Sequence, residues 1–447
     1  MPELPQELLE CVIDGVAENS EREGCWLGAD LFQCSRASRS LRPRCLVYIF
    51  SSIYIRGGGQ EEWENRLIAL LELIEDRPAI AKWIQELVLS TSDVEVENPM
   101  YPFIRQNRYP TTFGHPLFKR LMQVASPIRK VSIKRRHAAG QPSAVALEPL
   151  LTLPPVRSLE SITSLSFEGL QQLPLSMIIW CHNLTSLELL DVQVQKLDED
   201  KMFEESGVPV LLVSLKHLTI AYTTRSRSHL RPFFNSKYVN LSGLKSLTVY
   251  MEGIVLNLNE WTEFIKQEIP LKLCSRSLEE LTLLSRNGQR GPGWIPMEHP
   301  MKELKSLRRL RAFYFETLYS KNMDHSSIIL KYIRSNSLKK LTIEVSLLVS
   351  LDNGLEELDK LLNFDLDSFS MEILRIMASG STFELRLACR VQAAAPLNDG
   401  VLYESRLRAK CYQLLAIIRR YHLKMLDNHP FVNLRMDKVR VVFLHSM

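Results

Sequence analysis

Cysteine and histidine are the residues of this chain whose spacing could hold a metal or support nucleophilic chemistry. The eight cysteines include no C-x-x-C pair, and the ten histidines include no H-E-x-x-H pair. Structural and catalytic zinc sites need such closely spaced ligands, so the sequence does not favour a metal centre. Scattered cysteines are typical of reduced thiols, which predicts a cytoplasmic or nuclear protein.

Other segments that could bind phosphate or nucleic acid also lack the context that this chemistry needs. The glycine triplet at 57–59 has no following lysine of the kind that a phosphate-binding loop uses, and it is interpreted as a hinge. The basic runs KRRH at 134–137 and RSRSH at 225–229 are interpreted as solvated loops, with nuclear import or phosphate contact as the alternative. No motif supplies a nucleophile, a base and an orienting group, so we expect a non-catalytic protein without a cofactor.

Composition favours a folded, water-soluble protein that is larger than one ordinary domain. The chain has 447 residues, of which 45% are hydrophobic and 24% are charged, and its formal net charge of +4 gives no general case for nucleic acid. No apolar run approaches the roughly 20 residues that cross a bilayer, so no membrane partner is expected. Glu3, Glu7 and Glu10 stand where a secretory signal would be basic, so secretion is not expected either.

A repeated pattern, apolar-x-x-apolar-x-apolar, predicts most of the fold. It occurs ten times between WIQELVL at Trp83 and MEILRI at Met371, and its later copies follow one another at about 30 residues. Helix-like segments such as PLSMIIWC and NGLEELDKLL lie between the copies. A strand and a return segment cannot bury their apolar faces alone, so neighbouring units are expected to stack as a solenoid.

The ends of the chain carry elements of a different kind. Residues 4–16, LPQELLECVIDGV, have apolar side chains at helical spacing behind Pro5, and a second helical pattern begins at Leu31 and is expected to be interrupted by Pro43. Two helices of this length are marginal alone and need a partner, either in this chain or in another protein. SRLRAKCYQLLAIIRRYHLKML and KVRVVFL near the C-terminus are interpreted as a helix and a strand that cap the repeats.

Two motifs near the N-terminus resemble a known family. L-P-x-E-L-L at 4–9, followed by L-x-x-C-S-x-x-S-R at 31–39, resembles the F-box, and RPRCLVYIFSSIYI from Arg42 resembles the tail of that motif in fungal F-box proteins. The strand pattern is similar to irregular leucine-rich repeats. In that family the F-box docks on the Skp-type linker subunit of a cullin-RING ubiquitin ligase, and the repeats hold the substrate.

The resemblance implies a docking face for the linker subunit on both helical patterns. Its residues would be Leu4, Pro5, Leu8, Leu9, Ile13, Leu31, Cys34, Ser35, Ala37, Ser38 and Leu41. The competing interpretation is a ligase-independent leucine-rich scaffold that binds a protein, with N-terminal helices that only cap the first repeat.

Strand alternation predicts a second surface, for the protein substrate. If the leucines point inward, the residues between them form a shallow, mostly polar middle row on the concave face: Val88, Ser132, Ser166, Glu188, Thr219, Thr248, Thr282, Arg311, Thr342 and Arg375. Basic and aromatic residues on or beside this row are the candidate contacts for an acidic or phosphorylated segment: Lys130, Lys134, Tyr250, Arg309, Arg311, Phe313 and Lys340. The alternative is a solvated face whose cations pair with Glu280 and Glu344.

The predicted fold class is therefore α/β, with four segments. A helical module at 1–56 precedes a connecting helix or linker at 57–80, an irregular leucine-rich-repeat solenoid at 81–400 and a cap at 401–447. Parallel strands are expected on the concave side of the solenoid and helices on the convex side.

Overall fold

The structure is a computed structural model, which describes part of the chain. The described residues are 6–22, 28–57, 60–92, 116–125, 127–136, 157–170, 173–195, 212–222, 230–251, 271–285, 302–318, 330–333, 337–350, 367–378, 382–394, 432–436 and 440–444, with isolated positions between 405 and 416. Residues 93–115, 137–156 and 286–301, which connect repeats, lie outside these ranges, as does most of the predicted C-terminal helix.

The chain divides into two compact units, each a mixed α/β structure built on parallel strands. Unit 1 comprises Met1–Val213 with Ser236–Val239, and unit 2 comprises Ser214–Asn235 with Asn240–Met447. The boundary runs through two short strands, β8 (Val213–Ser214) and β10 (Val239–Asn240). This architecture is consistent with a repeat-like solenoid of the α/β class.

Three helices begin unit 1: α1 (Gln6–Arg22), α2 (Gly28–Ala37) and α3 (Arg42–Ser51). Pro43 lies in the first turn of α3, where a missing N–H and a fixed φ suit a helix start. Our expectation that Pro43 interrupts the second helix was therefore wrong, because α2 already ends at Ala37 and Pro43 belongs to the next helix.

The rest of unit 1 alternates strands with helices and short turns. Its elements are β1 (Ser52–Gly57), α4 (Gln60–Asp76), a 3-10 turn (Ile80–Lys82), β2 (Glu86–Ser92), α5 (Pro116–Val124), β3 (Lys130–Arg136), a 3-10 turn (Arg157–Ser161), β4 (Ser164–Glu168), β5 (Leu173–Pro174), α6 (Ser176–Ile179), β6 (Ser186–Leu190) and β7 (Val194–Gln195). Strands β1, β2, β3, β4 and β6 pair in that order, all in parallel. The short strands β5 and β7 pair with each other.

Unit 2 repeats the same plan. Its elements are β9 (His217–Tyr222), α7 (Arg231–Phe234), β11 (Ser246–Met251), β12 (Glu280–Ser285), a 3-10 turn (Lys302–Ser306), β13 (Ala312–Leu318), β14 (Lys340–Ser350), α8 (Asp367–Met377), β15 (Thr382–Ala394), β16 (Val432–Met436) and β17 (Arg440–Leu444). Strands β9, β11, β12, β13, β14 and β15 pair in that order in parallel, and both β16 and β17 pair with β15.

Apolar ladders explain why these segments become parallel strands. In β11, Leu247 and Val249 are fully buried, and the register sets Leu247 opposite Leu281 of β12 and Leu218 of β9. A further buried leucine, Leu244, precedes β11 by two residues, so this repeat contributes three apolar side chains to the core of unit 2.

Two of the ten predicted strand units are placed differently. MEILRI at Met371 lies in α8, where Ile373, Ile376 and Met377 are buried at helical spacing and Met371 is exposed. LRRLRA at Leu307 was also misaligned. Strand β13 begins at Ala312, and the apolar pattern of its repeat starts three residues later than predicted, at Leu310. Both sequences fit the template because a three-residue apolar step occurs in helices and turns as well as before a strand.

Candidate docking surfaces

The first three helices form a module with its own small core. Ile13 and Ala17 of α1, Leu31 of α2 and Cys45 of α3 are all buried and pack together. Because Ile13 and Leu31 are each 0% exposed, assigning them to a docking face was wrong: their side chains join the three helices to one another.

A charged network fixes the orientation of α1 on α3. The Arg44 guanidinium donates two hydrogen bonds to the Asp14 carboxylate, at 2.9 and 3.0 Å, and the Tyr48 hydroxyl donates a third at 2.9 Å. The hydrogen bond from Arg44 lowers the pKa of Asp14, although burial opposes this effect. Asp14 in turn raises the pKa of Arg44, so both groups stay charged at neutral pH.

The same helix α1 also carries apolar side chains in the solvent. Leu8 is 53% exposed and Val12, one turn later, is 59% exposed, whereas Ala17 is buried. Leu8 and Ala17 are nine residues apart, about two and a half turns, and therefore lie on opposite faces of the helix. One face of α1 is thus used by the core of the module, and the other presents apolar surface that nothing in the described residues covers.

Phe32 adds an exposed aromatic ring on α2, next to the buried Leu31. It is 52% exposed, and the Arg36 guanidinium lies 6.0 Å from the ring centroid. Phe32 and Val12 were both absent from the predicted docking face, since the motif comparison transfers family positions only. Nothing in the sequence marks either side chain as exposed, and both are recognised only from the packing of the three helices.

The other predicted docking residues of α2 and the following turn take mixed positions. Ala37 is exposed, Cys34 and Leu41 are half-buried against the module core, and Ser35 is buried. Ser35 donates its hydroxyl to the Phe32 carbonyl oxygen at 2.7 Å, and the hydroxyls of Ser38 and Ser40 are hydrogen-bonded at 2.7 Å. Leu4 and Pro5 lie outside the described residues, and only the backbone of Leu9 is described, within α1.

On the strands of unit 1, the predicted substrate face is largely closed. Val88, Ser132 and Ser166 do alternate with inward apolar residues, but they are 2–3% exposed, so the expected open middle row was wrong at these positions. In the rows on either side, Lys130 pairs with Glu86 at 2.6 Å and Lys134 with Glu168 at 4.0 Å. The two lysines remain accessible, and their charges are partly satisfied within the chain.

In unit 2, one of the two predicted aromatic anchors faces outward from the sheet and the other faces the core. Tyr250 is half-buried on the side of β11 opposite the leucines, as expected from alternation. Phe313 is 1% exposed and stacks on Phe315 with ring centroids 5.3 Å apart, so its assignment as an anchor was wrong. The shift in the β13 repeat explains this, because it turns Phe313 inward and places Tyr314, not Arg311, in the middle row beside Thr282 and Thr342.

The predicted basic contacts of unit 2 are exposed but differ in their pairing. Arg311 lies 3.6 Å from Glu279, and Lys340 lies 3.9 Å from Glu384. Arg309 is exposed and has no ion pair among the described residues. Glu279 and Glu384 are thus the ion-pair partners of Arg311 and Lys340 among the described residues, where Glu280 and Glu344 were expected.

Arg375, expected in the middle row, lies on α8 instead. Its guanidinium donates to the Leu330 carbonyl oxygen at 2.7 Å and pairs with Glu372 at 2.6 Å. These contacts hold α8 against the segment at 330–333, so Arg375 has a structural role.

The described residues contain no cluster of three or more histidine, cysteine, aspartate or glutamate side chains that could bind a metal ion. No described helix combines the length and apolar character needed to cross a bilayer. Comparison with family models, curated proteins and solved structures found no match to this chain.

Proposed function

We propose that the chain is a non-catalytic adaptor whose N-terminal helices dock on the Skp-type linker subunit of a cullin-RING ubiquitin ligase. The strand repeats would bind the protein to be ubiquitylated. This proposal depends on the F-box resemblance of residues 4–39, and it is supported by the chemistry of the helical module.

The observation that carries the proposal is the double-sided character of α1. A surface helix of a globular protein usually has one apolar stripe, which faces its own core. Helix α1 buries Ile13 and Ala17 in that way and still exposes Leu8 and Val12, while Phe32 is exposed on the adjoining helix. Exposed aromatic and aliphatic groups on a well-packed module are typical of a protein-binding surface.

The position of the module also suits an adaptor. Helix α3 continues directly into β1, and Phe50 lies 6.4 Å from Trp83, ring centroid to ring centroid, just before β2. A partner docked on α1 would thus be attached to the first repeat without a flexible joint at this connection.

The same contact favours the second candidate function, a ligase-independent protein-binding scaffold. If the module only covered the first repeat, the Phe50–Trp83 contact would be part of that covering interface. In that case no linker subunit would bind, and the exposed residues of α1 would have no partner.

Affinity purification of the full chain, followed by mass spectrometry, tests the two alternatives. An adaptor should recover a Skp-type linker subunit together with a cullin, and deletion of residues 1–41 should remove both while leaving other captured proteins. Recovery of protein partners without any linker subunit or cullin would refute the adaptor and support the scaffold.

A further inference from the structure

A row of backbone-fixed residues lies just before the strands of unit 2. The carbonyl oxygen of Lys216 accepts N–H groups from Lys245 and Ser246 at 2.8 and 3.0 Å, and the Lys245 carbonyl oxygen accepts two from Glu279 and Glu280 at 2.8 and 2.9 Å. The pattern continues from Glu279 to Arg311 and from Arg311 to Lys339. One residue of each repeat is therefore held in register at the amino-terminal edge of the sheet.

The side chains of this row are strongly basic. Lys216, Lys245, Arg311 and Lys339 are exposed, and Glu279 is the single acidic member, so the row holds four positive charges and one negative charge. We call this row of five residues the basic edge.

Two further cations flank the basic edge. Arg309 lies two residues before Arg311, and Lys340 follows Lys339 and pairs with Glu384 at 3.9 Å; both cations are exposed, as is Glu280, the anion that follows Glu279. Lys216, Lys245 and Lys339 have no ion pair within the described parts of the chain, and Glu279 pairs only loosely with Arg311, at 3.6 Å. Most of the positive charge on the basic edge is thus available to an external partner.

The equivalent row of unit 1 provides an internal comparison. There the same backbone ladder joins Ser51, Gln85, Arg129, Thr163 and Thr185, through carbonyl–amide contacts of 2.8 to 3.1 Å. That row carries one charge, whereas the basic edge carries five. The ladder itself does not require basic side chains, so their concentration in unit 2 needs another explanation.

The spread of the charges indicates the shape of the ligand. Neighbouring strands lie about 4.8 Å apart, so the five positions of the basic edge span about 19 Å, the length of roughly six residues of extended peptide. A single phosphate group would need donors that converge on one point, preferably from arginine forks. The basic edge instead offers mostly separate lysine ammonium groups along a line.

Single-stranded nucleic acid is the other extended polyanion, and it favours sites where aromatic side chains alternate with cations. The residues on and beside the basic edge are 214–217, 243–246, 277–280, 309–312 and 337–340, and they include no tyrosine, phenylalanine or tryptophan. This composition favours a peptide over a nucleic acid.

We infer that the basic edge binds an extended acidic protein segment, a run of about six aspartate or glutamate residues lying across the strands of unit 2. Within the proposed function, this segment belongs to the substrate. The inference concerns only unit 2, and its test is independent of the linker subunit.

The test measures fluorescence anisotropy of a labelled octaglutamate peptide with the full chain and two matched variants. The first variant carries Lys216→Glu, Lys245→Glu and Lys339→Glu on the basic edge. The second carries Arg77→Glu, Lys82→Glu and Arg129→Glu, three exposed cations of unit 1, so both variants change the net charge equally. A third variant replaces the three edge lysines with glutamine, and circular dichroism checks that each variant is folded.

We expect the edge variant to bind octaglutamate about tenfold or more weakly than the unchanged protein, because three screened attractions become repulsions. The unit 1 variant should bind like the unchanged protein, and the glutamine variant should lie between the two. A twelve-residue oligothymidine and a neutral peptide with one phosphoserine should both bind more weakly than octaglutamate.

Three results would overturn the inference. They are equal weakening of octaglutamate binding in both glutamate variants, no binding of octaglutamate by the unchanged protein at about 50 mM salt, and tighter binding of the oligothymidine or the phosphoserine peptide than of octaglutamate. The same proteins are also mixed with the linker subunit. Loss of octaglutamate binding with intact linker binding, or the reverse, shows which of the two proposed surfaces fails.

Discussion

Truncation of the exposed face of α1 should separate docking from folding. Full burial of a Leu or Val side chain contributes about 1.5 to 3 kcal/mol. Leu8 and Val12 keep 53% and 59% of their surfaces exposed in the free chain, so that much remains for a partner to bury. The double change Leu8→Ala and Val12→Ala should therefore weaken linker binding by about 2 to 3 kcal/mol, or about 30- to 150-fold.

The assay is isothermal titration calorimetry of the linker subunit into each variant, together with thermal unfolding of each variant alone. The double variant should unfold like the unchanged protein, since exposed side chains contribute little to stability, about 0.5 kcal/mol or less each. Ile13→Ala, by contrast, should lower the free energy of unfolding of the module by about 2 to 5 kcal/mol, because Ile13 is fully buried.

Gln33→Ala, an exposed polar position on α2, is the matched surface control and should change neither quantity. Unchanged linker affinity in the Leu8 and Val12 variant would refute the reasoning that this face docks. A parallel loss of affinity and thermal stability would instead assign the two side chains to the fold.

Three further predictions concern the core and the charged network. Asp14→Asn should destabilise the module by only about 0.5 to 1 kcal/mol, because water screens the half-exposed pair of Asp14 and Arg44. In the unchanged protein, the stability that this pair contributes should be complete above the ordinary pKa of 3.8 and should be lost as the pH falls through the lowered pKa of Asp14 in the folded state. Urea unfolding at several pH values would measure this loss. Burial raises the pKa of Cys181 to about 12, so this thiol should resist alkylation at pH 8 until the chain unfolds, whereas the exposed Cys11 should react at once, as peptide mass spectrometry of labelled protein would reveal. Phe313→Ala should cost about 3 to 5 kcal/mol of stability and Tyr250→Ala less than about 1, and equal losses in denaturant titrations would contradict the assigned direction of the β13 side chains.

The repeat architecture could be predicted because its signal is carried by every unit. In Leu244, Leu247 and Val249, for example, the pattern fixes which side chains enter the core, and these three are buried as expected. The apolar steps alone do not fix the element type, however. MEILRI satisfies the strand template and forms part of α8, because Ile373, Ile376 and Met377 also satisfy a helical period.

Alternation predicted direction better than it predicted exposure. Ser132 and Ser166 do lie on the side opposite the leucines, but both are buried, and Ser166 donates a 2.6 Å hydrogen bond to the Glu188 carboxylate of the next strand. Exposure depends on what neighbouring strands place in the adjacent rows, which a single strand sequence does not contain.

The docking surface was the least predictable part. A transferred motif does not separate the residues that hold three helices together from those that remain outside, and Ile13 and Leu31 proved to belong to the first group. Leu8 remained exposed as expected, while Val12 and Phe32 emerged only from the packing. The basic edge was also missed as a set, because its members lie about 30 residues apart in the sequence and meet only through the backbone ladder.

The most direct measurement of the central claim is the mass of the purified chain mixed with a purified Skp-type linker subunit, determined by size-exclusion chromatography with light scattering. The adaptor account predicts a single peak with the summed mass of one copy of each protein. It also predicts that the Leu8→Ala and Val12→Ala variant elutes apart from the linker subunit at micromolar concentration. Separate elution of the unchanged chain and the linker subunit would contradict the account.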